Sequence, residues 1–205
     1  QMGGWYRKEI KSVDDLKGLK MRTAGFAGEV LARLGVIPQQ IPGGDIYPSL
    51  EKGTLDAVEF VGPVDDEALG FQKVAKYYYY PGWQEPGPTL ECMINRSAWE
   101  RLPDDLKAIV EVACQAVNTD MTAEFMTRNA QSLKRLEEDE SVEVLPFPAP
   151  VLAELKRLTL QVIEDLTARD PVAAKVWESY RAFMAQSERW QRISEHAYLE
   201  TREPA

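Results

Sequence analysis

From Asp104 to Glu140 the chain contains neither glycine nor proline. Those two residue types punctuate helices, and Pro103, just before the stretch, suits a first helical position, where its missing N–H is no loss. Leu106, Ile109, Val110, Ala113, Val117 and Met121 recur three or four residues apart, which places them on one helical face. A helix of this extent is about 50 Å long at 1.5 Å per residue. That exceeds the width of one small domain, so the sequence predicts a helix bridging two bodies.

Upstream, shorter elements alternate. "SVDDLKG" carries a helical turn with Ser12 or Asp14 as N-cap, and Lys20 to Thr23 read as a strand. "GFAGEVLARLG" places Val30, Leu31 and Leu34 on one helical face with Gly35 as its stop, and "VIPQQIPGG" is extended. "DIYPSLEKG" repeats the helix, and Leu55 to Val61 repeat the strand. Strand, helix, strand, helix, strand at this spacing predicts βαβ units and a parallel sheet. A helical patch follows Gly62-Pro63 to about Ala75, and Leu90 to Asn95 read as another strand. Beyond the long helix, "VEVLPFP" is a strand, and helices are expected over 148–169 and 171–195.

Composition excludes some functions. The net charge of −9 argues against nucleic acid, whose phosphates need a positive surface, but leaves room for a small anion held by one arginine. No run approaches the roughly 18–20 apolar residues of a membrane span. Cys92 and Cys114 are the only cysteines; without a C-x-x-C spacing they imply neither a disulfide framework nor a zinc cluster. His196, the only histidine, lies in a charged helical segment with no G-x-S-x-G motif to serve, and reads as a surface or packing residue. "GFAGEV" lacks the glycine pattern and the Lys-Ser/Thr of a phosphate loop.

Two glutamates stand out. Glu59 in "AVEFVGP" and Glu85 in "WQEPGP" sit in apolar segments bounded by Gly and Pro, where an unpaired charge is costly. Such a pair serves as acid and base in a glycosidase-like hydrolase, as oxygen ligands for a hard cation, or as two local salt bridges. Just before Glu85 come Tyr77 to Tyr80, which as a strand send alternate rings to opposite faces.

The segments "DLKGLKMRTAG", "LARLGVIPQQIPGGDIYPSLEKGTLDAVEFVGP" and "KYYYYPGWQEPGPTLECMINRSAWERLP", in this order, resemble the DctP-like solute-binding proteins of tripartite ATP-independent periplasmic (TRAP) transporters. The resemblance runs along essentially the whole chain, and "YYYYPGWQEPGPTLE" is most similar to the branch that binds 2-oxo acids, lactate and related monocarboxylates. It implies an α/β fold of the periplasmic binding-protein type: two α/β lobes, crossing strands and a long bridging helix, here with extra C-terminal helices. The expected divisions are residues 1–58 as a ligand-binding lobe, 59–95 as crossing strands and cleft wall, 96–140 as the bridging helix, and 141–205 as a strand with helices that swap between protomers of a dimer. Members of that family have a hundred or more residues before the position of "QMGGW", so the chain is expected to be a piece of a longer protein.

The resemblance also implies a bacterial periplasmic location, membrane permease subunits as partners, and ligand delivery without chemistry. Arg22 matches the arginine that pairs with the ligand carboxylate, which suits a planar guanidinium making two parallel charge-assisted bonds. Gln1, Glu59, the backbone of Phe60, and Glu85 match the positions that hold a Na⁺ or Ca²⁺ bridging to the ligand, and no organic cofactor is implied. That cation answers an electrostatic difficulty, since two carboxylates beside an anionic ligand repel it. Relatives often have Trp where this chain has Phe60, so the aromatic wall loses an indole donor. Tyr79, Tyr80 and Trp83 are expected nearest the cleft, completing a ligand set with Arg22, Gln1, Glu59 and Phe60. A carboxylate-pair hydrolase and a truncated, non-binding dimerisation module are the competing readings.

Overall fold

The structure, a computed structural model, describes residues 1–23, 25–87 and 89–202. The chain divides into two compact units, residues 1–156 and 157–205.

The first unit is organised by a six-stranded sheet of β1 (Gly4–Tyr6), β2 (Lys20–Arg22), β3 (Ile37–Gln39), β4 (Ala57–Val58), β5 (Tyr77–Tyr80) and β6 (Glu143–Pro146), in the spatial order β3-β2-β4-β1-β5-β6. The helices α1 (Gly25–Arg33) and α2 (Gly43–Glu51) connect β2, β3 and β4, whose pairings are parallel, as the βαβ spacing predicts. The sheet as a whole is mixed, because β1 inserts at its centre antiparallel to both β4 and β5. Three residues suffice for this. Trp5 and Tyr6 are fully buried, one on each face, so β1 gains packing on both sides as well as ladders on both edges.

Pairing register sets the core. Trp5 lies opposite both Val58 and Tyr78 and stacks on the Tyr78 ring at 4.1 Å. Around this pair gather Ile46 and Leu50 of α2, Leu55, Val58, Phe71, and Leu136 of α5 (Asp104–Glu137). Alternation sends Tyr6 and Tyr79 to the other face, where Tyr79 stacks on Phe147 at 4.7 Å and Tyr6 meets both rings edge-on.

Asp66, on α3 (Pro63–Ala68), is buried beneath Trp5. Its carboxylate accepts from Trp5 Nε1 at 3.2 Å, Tyr78 Oη at 2.8 Å and the Val61 amide at 3.3 Å. Burial nevertheless pushes the Asp66 carboxyl up to about 7.

The long helix α5 follows the Gly- and Pro-free stretch, with acidic residues in its first turn and Lys134 and Arg135 in its last, complementing the helix dipole. Its C-terminal third is docked. Asn129 accepts from the Val64 amide, Arg135 forks onto Glu67 at 2.9 and 2.5 Å, and Ser132 and Leu136 are buried. The apolar residues from Leu106 to Met126 that face outward include Ile109, Val112 and Val117.

Two expected strands are corrected. Within Leu55–Val61 only Ala57–Val58 is regular, although the segment stays extended, the Glu59 amide donating to Arg22 O and Val61 O accepting from the Met2 amide. Leu90–Asn95 is not a strand: it lies outside the sheet and its side chains are exposed, Met93 to 86%. Among the described residues no strand pairs with it, so its apolar composition does not translate into burial there. A short helix, α4 (Arg96–Glu100), follows it, with Asn95 as its N-cap.

The second unit contains the remainder of α6 (Ala149–Arg169), then α7 (Pro171–Gln191), a π-helical turn (Arg192–His196) and α8 (Ala197–Glu200). Asp170 caps α7, accepting from the Val172 and Ala173 amides, with Pro171 at the first position. His196 is exposed, one turn from Glu200. Among the described residues no helix is long and apolar enough to cross a membrane.

Candidate functional site

Strand polarity gathers the marked residues at one edge of the sheet. Arg22 ends β2, Glu59 follows β4, and Pro81 follows β5; these strands run in one direction, and their carboxyl ends share an edge. Because β1 runs the opposite way, its preceding residue Gln1 arrives at the same edge. Open α/β sheets place ligand sites outside the carboxyl ends of their strands, where strand order and direction change.

Arg22 is held by main chain. Its Nη1 donates to the Glu59 carbonyl at 2.6 Å and its Nε to the Ile41 carbonyl at 3.5 Å, while the guanidinium lies 5.3 Å from the centroid of the Phe60 ring. The Glu59 carboxylate stands 3.9 Å from Nη1. Glu59 is buried, and that burial raises its carboxyl pKa, opposed by the Arg22 charge and a Gln1 hydrogen bond and reinforced by the charge of Glu85.

Gln1 joins the acceptors. Its Nε2 lies 2.9 Å from Glu59 Oε1 and 3.5 Å from the Phe60 carbonyl, and its main-chain nitrogen donates to Pro86 O at 3.0 Å. Gly82 packs so tightly here that an added Cβ would stand 2.7 Å from the Gln1 carbonyl and 2.8 Å from that of Glu85. The loop from Pro81 to Pro86, entered through a cis Tyr80–Pro81 peptide, is thereby pressed onto the start of the chain. Gln84 Nε2 adds a bond to Met2 O at 3.2 Å.

The donor set suits a hard cation. Among the described residues no cluster of three or more His, Cys, Asp or Glu is present, so what converges is amide, backbone carbonyl and two carboxylates, all oxygen. Gln1 Oε1 is buried without a hydrogen-bond partner among the described residues, as is Gln84 Oε1. Rotating the Gln1 amide by half a turn brings that orphaned oxygen toward Glu59 Oε1 and Phe60 O, where Nε2 now supplies the positive end of a dipole.

Arg22, Gln1, Glu59 and Phe60 are thus brought into direct contact, and Glu85 is near enough for its charge to act on Glu59. Trp83 is half-buried on the adjoining loop, and Tyr80, the last residue of β5, is exposed. Tyr79 points elsewhere: it is buried against Phe147, and its hydroxyl accepts from the Ile10 amide at 2.7 Å. The Trp5–Tyr78 stack fixes the strand's facing and leaves Tyr79 no other side. Gln84 carries no sequence signal beyond adjacency to Glu85, and Ile41 acts through its backbone. A cavity of about 600 Å³ abuts this cluster at Gln1, between Val61–Asp65, Pro86–Gly87 and the α5 residues Met121 and Asn129.

Known proteins share this arrangement of sequence and fold. The family profile of bacterial extracellular solute-binding proteins, family 7 (DctP), matches residues 1–170. A monocarboxylate 2-oxoacid-binding periplasmic protein of Nostoc sp. is 43% identical over 97% of this chain and 54% of its own length. A TRAP transporter solute-binding protein of Bordetella bronchiseptica RB50, crystallised as a mixed-occupancy dimer with calcium and picolinate in one site, is 45% identical with a TM-score of 0.94, over 98% of this chain and 60% of that one. Another from Pseudoalteromonas atlantica T6c, with bound sodium and pyruvate, is 43% identical with a TM-score of 0.94, over 99% of this chain and 62% of that one. The chain thus spans somewhat more than half the length of these relatives. With the profile matched over most of its length, the chain belongs to the DctP family of bacterial extracellular solute-binding proteins.

Proposed function

We propose that this protein binds a small monocarboxylate of the 2-oxo acid or lactate type together with Na⁺ or Ca²⁺, and hands it to TRAP permease subunits in the membrane without chemical change. The observation that carries the reading is the contact set of Arg22, Glu59, Phe60 and Gln1 at one sheet edge, a fixed guanidinium beside an all-oxygen donor cluster. Its relatives support the ligand class: one is named for 2-oxo acids, and others were crystallised with pyruvate or picolinate beside sodium or calcium.

In this reading Arg22 orients the ligand carboxylate, and Gln1, Glu59, the Phe60 carbonyl and Glu85 hold the cation. The cation supplies the positive charge that lets two glutamates sit beside an anion. Tyr80 and Trp83 form the wall, while Tyr79 supports β5 from the core side. Residues 59–95 connect lobes, and the outward apolar stretch of α5 meets the rest of the binding protein. The helices of the second unit pair with a second copy of the chain.

Calorimetric titration with pyruvate tests this on the intact protein, in Na⁺, in Ca²⁺ and after chelation and dialysis. Binding that requires one of the cations and disappears in Arg22→Ala is the expected outcome. Pyruvate affinity indifferent to both cations and to Arg22→Ala would overturn it. Hydrolysis of a glycoside lost in both Glu59→Gln and Glu85→Gln would favour the acid–base pair instead.

A further inference from the structure

The two cysteines, unremarkable in sequence, lie on segments that border one cavity. Cys92 lies in the extended segment after the loop that carries Glu85, and Cys114 in the third turn of α5; both are exposed. Leu90 borders the same cavity as Asn118 and Met121 of α5. Two extended residues from Leu90 to Cys92 cover about 6–7 Å, and one helical turn back from Asn118 to Cys114 covers about 6 Å, in opposite chain directions. Both paths lead from that cavity to the cysteines, and Cys92 acts on the Cys114 thiol through hydrogen bonding and charge.

We propose that Cys92 and Cys114 form a disulfide that staples the segment following the binding loop to the long helix. Three further observations favour the bond. Both thiols are accessible to an oxidant. The segment around Cys92 lies outside the sheet, so drawing it toward α5 breaks no ladder. The family is extracellular, and oxidising compartments are where disulfides persist.

The oxidant is a disulfide donor, either a thiol–disulfide oxidoreductase or a small-molecule disulfide. One cysteine, as thiolate, attacks a donor sulfur and expels the first donor thiolate, leaving a mixed disulfide. The second cysteine then attacks the protein sulfur of that mixed disulfide and releases the other donor thiolate. Two electrons pass to the donor, and the two protons shed by the cysteines convert its thiolates to thiols. The closed bond shortens the free path of the chain between Glu85 and α4 and limits the motion of the cation-binding loop.

The test incubates the protein with excess oxidised glutathione, blocks remaining thiols with iodoacetamide, and records intact mass and a peptide map. The expected result is a protein lighter by two hydrogens than the reduced form, a linked peptide pair containing Cys92 and Cys114, and a melting temperature lowered by about 5 °C or more on reduction. Cys92→Ser should instead carry one glutathione on Cys114, and its melting temperature should ignore the reductant. Wild-type protein that ends with both cysteines blocked by iodoacetamide, or with a glutathione on each, would overturn the proposal.

Discussion

Arg22 and Glu59 are joined through the main chain rather than by a close ion pair: Nη1 donates to the Glu59 carbonyl at 2.6 Å, while the carboxylate of the same residue stands at 3.9 Å. A backbone anchor fixes the plane of the guanidinium without neutralising its charge, and the Phe60 ring supports the same group. An arginine held in this way is preorganised for an incoming carboxylate. Arg22→Lys keeps the charge and loses the planar fork, so pyruvate affinity should fall about 10- to 100-fold, the worth of one charge-assisted bond. Calorimetry measures this, with thermal unfolding to confirm that the variant is folded. An unchanged affinity would mean that the fork does not hold the ligand.

Gly82 is required by close approach rather than by its backbone angles. Its missing side chain makes room for two carbonyls, those of Gln1 and Glu85, and neither can swing away as a side-chain tip would. Gly82→Ala should therefore separate the loop from the chain start and weaken cation binding about tenfold or more. Gly87→Ala serves as the control, since among the described residues nothing lies within 4 Å of its added Cβ. Titration of Ca²⁺ and of Na⁺ at saturating pyruvate distinguishes the two variants.

Much of this site was legible because its elements are local. Helix stops at Gly35 and Gly53, the alternation around β2 to β4, and the Gly- and Pro-free run of α5 all act within a few residues, and apart from β4, which is shorter than expected, each element stands close to its expected bounds. The central antiparallel place of β1 was not legible. Three residues carry no periodicity, and their position is decided by long-range ladders to Val58 and Tyr78. The same holds for Tyr79, whose facing is set by the Trp5–Tyr78 stack across strands. Arg22, Glu59 and Glu85 could be singled out by residue type and resemblance, but their meeting at one edge depends on strand direction, which spacing alone leaves open. Leu90–Asn95 misled because apolar composition was read as burial where, among the described residues, no partner strand pairs with it.

Asp66 gives the protein a pH dependence of definite sign. Unfolded, its carboxyl titrates near 3.9; folded and desolvated beneath Trp5, it holds its proton to about 7. The folded state therefore binds the proton more tightly, and this group's contribution to stability is fully present below about pH 4 and is lost as pH rises through 7. The difference is worth roughly 4 kcal/mol over that window. Glu59, raised in the same direction, adds to the slope, while Asp15, Glu67 and Asp139, all lowered by hydrogen bonds, act oppositely in more acid solution. Denaturant unfolding between pH 4 and 8 should show stability falling, and Asp66→Asn should flatten the fall. Absolute stability is the poorer readout, because an amide NH₂ would face donors that the carboxylate now accepts from. An unaltered slope in the variant would assign the titration elsewhere.

The outer face of α7 leads to the last expectation. Val176, Phe183 and Trp190 recur at heptad spacing with Tyr180 beside them, and Phe183 is 67% exposed. Seven-residue recurrence of large apolar groups is the pattern of a helix that packs lengthwise on another helix. Scattered exposed apolar residues need no explanation, but a stripe along a capped helix of 21 residues does. A second copy of the chain supplies a matching stripe by symmetry, and the Bordetella relative crystallised as a dimer. Light scattering after gel filtration should give twice the chain mass for the wild type. Phe183→Glu places a charge in the middle of the seam, where desolvating it against apolar neighbours costs several kcal/mol, so the variant should elute as a monomer at micromolar concentration. The substitution lies on the solvent side of α7 and should leave the unfolding transition of the first unit in place. A wild-type monomer at high concentration, or a Phe183→Glu dimer as tight as the wild type, would show that this stripe is not the contact.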